Sequence, residues 1–209
     1  MIVAIDGPAG AGKSTVARRL AERLRFGYVD TGAMYRALTW LALLWDVSPE
    51  DGRKLAELAE RYPVSFEDDR VFIAGFDVTE EIREPRVDRA VPVVARHPGV
   101  RAVMRARQRE LAQGGDAVVE GRDIGTVVAP EAEVKVYLVA DEDVRARRRL
   151  AERPDIGPDA LVTDLRLRDE SDRERTRPAP DAVVIDTSSL EVDDVVDRIE
   201  RLVRERAAL

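Results

Sequence analysis

The chain of 209 residues contains no cysteine, no asparagine and a single histidine, and its only lysines are Lys13, Lys54 and Lys135. Without cysteine there are no disulfides, no thiolate metal sites and no thiol nucleophile. Without asparagine there is no N-K-x-D guanine reader, which excludes switch-type nucleotide hydrolases. No apolar run approaches the length of a membrane span, and the chain opens directly into a strand with no signal peptide ahead of it, so it reads as cytoplasmic and free of membranes. Aromatic residues make up 5% and the net charge is −7. That balance argues against a general nucleic-acid binder, so any anionic ligand must be held by local arginines. His97 sits beside Pro98 at a turn and reads as a turn residue rather than a base.

What the chain does carry is concentrated at its start. Gly7-Pro8-Ala9-Gly10-Ala11-Gly12-Lys13-Ser14 spells G-x-x-x-x-G-K-S directly after the apolar run Ile2-Val3-Ala4-Ile5. Val16, Ala17, Leu20, Ala21 and Leu24 follow at helical spacing, so the loop joins a strand to a helix as a phosphate-binding loop must. Its glycines let backbone N–H groups curl around an anion, and the helix N-terminus adds a favourable dipole. Gly7 to Thr15 are therefore the expected nucleotide cradle, with Lys13 on the β- and γ-phosphates and the Ser14 hydroxyl on a magnesium ion.

Beyond the loop, β and α segments alternate. Residues 26–29, 116–120, 134–139 and 182–185 read as further strands, giving five in all. Thr31 is the expected cap of a helix with the stripe Met34, Leu38, Leu41, Ala42 and Trp45, and Ser188 with Glu191 has capping-box spacing before a closing helix. Short apolar strands separated by amphipathic helices predict a parallel sheet covered on both faces, with ligands at the carboxyl ends of the strands. One segment breaks the pattern: Val64-Ser65-Phe66 and Val71-Phe72-Ile73 read as a hairpin, with a third antiparallel strand at 76–79, forming an insertion from about 63 to 95.

Polar clusters follow the strands: Asp30-Thr31-Gly32-Ala33-Met34-Tyr35-Arg36 after the second and Glu120-Gly121-Arg122-Asp123 after the third. Arginines there suit a second phosphate, since a guanidinium fork binds phosphate oxygens bidentately. The region 145–177 is dense in arginine and has the look of a phosphoryl-transfer lid. From the residues alone, a kinase for a small acceptor such as a nucleoside monophosphate or shikimate and a non-catalytic nucleotide- or RNA-binding module are the readings; the insertion and both arginine clusters weigh against shikimate, and the interleaved acids and lack of aromatic stacking residues weigh against the binding module.

In order along nearly the whole chain, G-P-A-G-A-G-K-S, D-T-G-A-M-Y-R, the antiparallel insertion, H-P-G-V-R, E-G-R-D-I-G-T-V-V and R-D-E-S-D-R-E-R resemble the bacterial cytidylate kinases of the nucleoside monophosphate kinase family. The resemblance implies a P-loop three-layer α/β/α fold with a five-stranded parallel sheet, one domain with a core at 1–62, 96–147 and 178–209, an acceptor-binding insertion at about 63–95 and a short lid at about 148–177. It implies transfer of the γ-phosphoryl of ATP to CMP and dCMP with magnesium, giving CDP or dCDP and ADP, by a monomer without nucleic-acid or membrane partners. Thr31, Tyr35 and Arg36 would hold the acceptor and Arg122 its phosphate. Arg101 and Asp123 would read cytosine, and Asp172 and Arg175 would contact the ribose and phosphate side. Arg149, Arg153 and Arg168 would be lid arginines, Arg149 and Arg153 acting in catalysis with Lys13 and Arg122 and Arg168 reaching CMP. Where relatives carry a serine in the base-reading segment, this chain reads Val91-Pro92, and proline offers neither hydroxyl nor N–H.

Overall fold

β1 (Ile2–Asp6) is the middle strand of a five-stranded sheet ordered β2 (Gly27–Asp30), β6 (Ala117–Gly121), β1, β7 (Val134–Val139) and β8 (Val183–Asp186). β1 runs parallel to both β6 and β7, and β7 parallel to β8. These coordinates are a computed structural model that describes residues 1–67, 70–152, 157, 162, 163, 165, 166, 169, 170 and 176–208.

Strands covered by helices need no polar face, which is why β1, β6 and β7 read as near-continuous apolar runs. Val3, Ile5, Val118, Val136 and Leu138 meet Val16, Ala17, Leu20 and Ala21 of α1 (Lys13–Leu24) and Val195, Val196, Ile199 and Val203 of the last helix, α7 (Val192–Ala207). Fully buried side chains of this size contribute about 1.5–3 kcal/mol each. The chain divides into two compact units, Met1–Val29 with Ala112–Leu209, and Asp30–Leu111.

The second unit has its own core. Ala33, Met34, Ala37, Leu38 and Leu41 of α2 (Thr31–Leu44) pack with Leu55 of α3 (Gly52–Arg61), Val87 and Val94 of α4 (Pro85–Arg96), and Val100 and Met104 of α5 (Pro98–Gln113). Val71 and Ile73 join them from a three-stranded antiparallel sheet of β3 (Ser65–Glu67), β4 (Arg70–Ile73) and β5 (Phe76–Asp77). Pro85 opens α4 where its missing N–H is harmless, whereas Pro92 lies inside that helix and removes one backbone donor.

Three local expectations are corrected. Asp30, not Thr31, caps α2: its carboxylate accepts the Ala33 N–H at 2.7 Å, and Thr31 is already helical. Trp45 lies just past the end of α2 and is exposed instead of completing its stripe. The capping box of α7 is Glu191 with Asp194, because Ser188 is committed to the turn before it, accepting the Asp141 N–H and donating to Asp186.

Candidate active site

The register of the parallel pairs builds the site. Asp6 lies opposite Gly121 on one side and Tyr137 on the other, so the loop after β1 leaves the sheet between the ends of two neighbouring strands. Gly7 has φ +150°, and a Cβ there would sit 2.2 Å from the Leu138 carbonyl oxygen. Only glycine fits this close approach. Gly12 precedes α1 in the left-handed region with no side-chain cap. The first N–H groups of the helix are thus left for an anion.

Lys13 is buried and donates to the Pro8 carbonyl at 2.9 Å, so its ammonium is held across the loop. Ser14 donates to Glu120 Oε1 at 2.5 Å, and the Tyr28 hydroxyl reaches the same oxygen at 3.4 Å. Arg122, the first residue beyond β6, donates from Nη1 to the Gly7 carbonyl at 2.9 Å. Next to it Asp123 begins a single π-helical turn, Ile124–Val128, its carbonyl accepting the Val127 and Val128 N–H groups.

Asp6 anchors that turn. Its carboxylate is 4% exposed and accepts the N–H groups of Ile124 and Gly125, each at 2.8 Å. Burial raises its pKa above the usual 3.8; the two N–H bonds and Lys13 oppose the rise, and the nearby Asp123 charge adds to it. On the other flank, α6 (Glu142–Glu152) supplies Arg148, which donates to the hydroxyl and carbonyl of Thr187; the Thr187 hydroxyl is 3.1 Å from the Ala11 carbonyl.

The structure therefore brings Gly7–Ser14 and Arg122 together, with Thr15 in the first turn of α1, and leaves Arg149 half-buried on α6. In the second unit, Asp30 accepts the Arg36 guanidinium at 3.0 Å as well as capping α2, which orients the arginine. A Cβ at Gly32 would lie 3.0 Å from Arg36 Nη1, so glycine makes room for that pair. Thr31 is buried, Tyr35 packs on the core of that unit, and Arg101 is half-buried in the first turn of α5. His97 ends α4 and pairs with the Pro49 carbonyl at 2.8 Å, the role of a turn residue. Arg153, Arg168, Asp172 and Arg175 lie outside the described residues.

Sequence reasoning assigned no role to Glu120, Asp6, Arg148 or Thr187. Glu120 carried the clearest signal: an acid ending an otherwise apolar strand, one residue before the arginine–aspartate pair.

A phosphate loop on the central strand of a parallel sheet, followed by helices and joined to a small antiparallel sheet, defines a P-loop kinase. Among solved structures, the fold resembles shikimate kinase from Bacteroides thetaiotaomicron (TM-score 0.54, 17% identity, 98% of each chain) and a gluconokinase from Sinorhizobium meliloti 1021 (TM-score 0.53, 19% identity, 99% of this chain and 93% of that one). The sequence model of the cytidylate kinase family matches residues 3–205. Similar relatives are the cytidylate kinases of Geobacillus kaustophilus, 50% identical over 98% of this chain and 96% of that one, and of Bacillus subtilis, 43% identical over 98% and 97%. The chain belongs to the cytidylate kinase family, and it is a phosphotransferase that phosphorylates CMP with ATP.

Proposed function

We propose that the Gly7–Thr15 loop holds ATP and that Lys13 and Arg122 stabilise transfer of its γ-phosphoryl group to the phosphate of CMP, and equally of dCMP. The observation that carries this reading is the bond from Arg122 to the Gly7 carbonyl, which keeps an arginine of the acceptor motif against the donor loop. The acceptor phosphate is already an anion, so the reaction needs positioning and charge neutralisation more than a base. Lys13 and Arg122 supply fixed positive charge where negative charge develops. Thr31, Tyr35, Arg36 and Arg101 from the second unit, and Asp123 beside Arg122, are assigned to CMP. Asp172, Arg175 and Arg168 keep the acceptor roles and Arg149 and Arg153 the lid roles that the family pattern gives them. Residues 63–95 are assigned as the acceptor-binding insertion and 148–177 as the lid.

A magnesium ion fits the residues present, because the Ser14 hydroxyl and the Glu120 carboxylate offer adjoining hard oxygens beside the loop. Among the described residues no cluster of three or more His, Cys, Asp or Glu forms a cage of its own. Such a pair suits an ion that takes its other ligands from phosphates and water. When bound, magnesium neutralises phosphate charge.

Acidic net charge supports action on small nucleotides without a nucleic-acid partner. No described helix is long and apolar enough to cross a membrane, and we assign the enzyme to the cytoplasm. It is assigned as a monomer. ADP release measured across CMP, dCMP, UMP, AMP and GMP tests the reading. CMP and dCMP should turn over fastest; equal turnover of purine and pyrimidine acceptors would overturn it.

A further inference from the structure

Asp6 closes β1 directly before the phosphate loop, and it is buried where the other buried residues of that strand, Val3, Ala4 and Ile5, are apolar. Burying a carboxylate costs stability, so an acid kept at this position has work that an apolar side chain could not do. Both of its oxygens go to one task. Oδ1 accepts the Ile124 N–H and Oδ2 the Gly125 N–H at the start of the π-helical turn, and single turns of that kind recur at functional sites. In the opposite direction, Arg122 gives a hydrogen from Nη1 to the Gly7 carbonyl. Asp6 and Gly7 are thus tied to residues 122–125 by bonds that run both ways. Strand register sets the spacing, because Asp6 lies opposite Gly121 and the two segments leave the sheet side by side. Gly125 makes the approach possible: a Cβ there would lie 3.3 Å from Lys135 Cδ and 3.5 Å from Asp6 Oδ2. Lys135 is itself held by the Asp181 carboxylate, at 2.8 and 3.1 Å, so its stem forms a fixed floor under the turn.

We propose that Asp6 is a positioning residue: by holding the Ile124–Gly125 backbone to the end of β1, it sets Arg122 and Asp123 at a fixed distance from the phosphate loop. The inference rests on the phosphotransfer reading above, which assigns Arg122 to the transferring phosphoryl group and Asp123 to CMP. Asp6 touches neither nucleotide and acts through those two residues. A shift of about 1 Å in a group that must meet the reacting atoms costs on the order of a hundredfold in rate, so a buried carboxylate that fixes such a group is worth its burial.

The test compares wild type with Asp6→Asn, Gly125→Ala, Arg122→Ala and the double variant Asp6→Asn/Arg122→Ala, each assayed well below its melting temperature. The rate of CDP formation, the KM for CMP and the Kd for ATP without CMP are measured for each. Asp6→Asn should lower kcat/KM for CMP by about tenfold or more and leave the Kd for ATP within about twofold, because Gly7 keeps its own close fit to the Leu138 carbonyl. Gly125→Ala leaves the carboxylate and both N–H groups in place and crowds the turn from the other side, so it should show the same split more weakly. In the Arg122→Ala background, Asp6→Asn should cost less than about threefold more, since the main group it positions is gone. Equal losses toward ATP and CMP, losses that multiply in the double variant, or a lower melting temperature with unchanged kinetics would overturn the proposal. If Asp6→Asn does not fold, Gly125→Ala decides alone, and normal use of CMP by that variant would sink the idea. A wild type that does not phosphorylate CMP would instead defeat the functional reading itself.

Discussion

Ser14 gives its hydroxyl hydrogen to Glu120, so the first turn of α1 is tied to the end of the neighbouring strand at the point where the phosphate loop closes. Two hard oxygens are thereby presented together. Glu120→Gln and Ser14→Ala should each raise the magnesium concentration needed for half-maximal rate by about tenfold or more. Rate against magnesium at fixed ATP is the measurement, and curves that superimpose on the wild type would remove the metal assignment.

Lys13 reaches over its own loop to the Pro8 carbonyl, an arrangement that a bound phosphate would displace. Its ammonium belongs to the loop and not to the apolar core, so Lys13→Ala should fold and melt like the wild type. Transfer should fall far more than tenfold, that is, by much more than about 1.4 kcal/mol in transition-state stabilisation. Steady-state kcat with circular dichroism as a folding control decides it; a loss of tenfold or less would mean that Lys13 is peripheral.

Asp6 makes stability depend on pH. Its folded pKa lies above its unfolded value near 3.8, so the unfolded chain gives up the proton first. The contribution is fully present below the unfolded pKa and is lost as pH rises through the folded one. Asp6→Asn should abolish that part of the pH slope while lowering stability overall, because one amide oxygen cannot serve both the Ile124 and Gly125 N–H groups. An unsatisfied buried N–H costs about 1–3 kcal/mol. Urea unfolding across the acidic to neutral range checks this, and a difference between the two proteins that stays constant with pH would show that Asp6 is not the titrating group.

The parts of this architecture legible in the sequence were those where one local rule acts alone. Five apolar runs marked the five strands, and G-x-x-x-x-G-K-S marked its loop because glycine is demanded at Gly7 by the Leu138 carbonyl. The helix ends were misread where two neighbours competed for one role: Asp30 outbids Thr31 because its carboxylate serves both Ala33 and Arg36, and Ser188 is held by the Asp186 turn. Glu120 and Asp6 gained their roles from strand register, which pairs residues more than a hundred positions apart. No local pattern carries that information.

Asp123 holds its π-helical turn through its backbone carbonyl, which accepts from Val127 and Val128, so Asp123→Asn changes the chemistry of the side chain without removing the turn. If the carboxylate accepts the exocyclic amine of cytosine, uracil would present a carbonyl to it and leave a polar group unpaired. Discrimination of that kind is large, whereas shape alone separates such similar rings poorly. An asparagine amide can donate to the uracil carbonyl. The ratio of kcat/KM for CMP over UMP should therefore fall by about tenfold or more, or invert, chiefly through lost use of CMP. Pro92, without hydroxyl or N–H, leaves less to reject UMP in the wild type, so the starting ratio should be lower than in relatives that carry a serine there. Removing the Asp123 charge should also let the Asp6 pKa fall, which the same urea series at several pH values would register independently. An unchanged CMP to UMP ratio in Asp123→Asn, alongside that shift at Asp6, would place the Asp123 carboxylate in the electrostatics of the turn and take base recognition away from it.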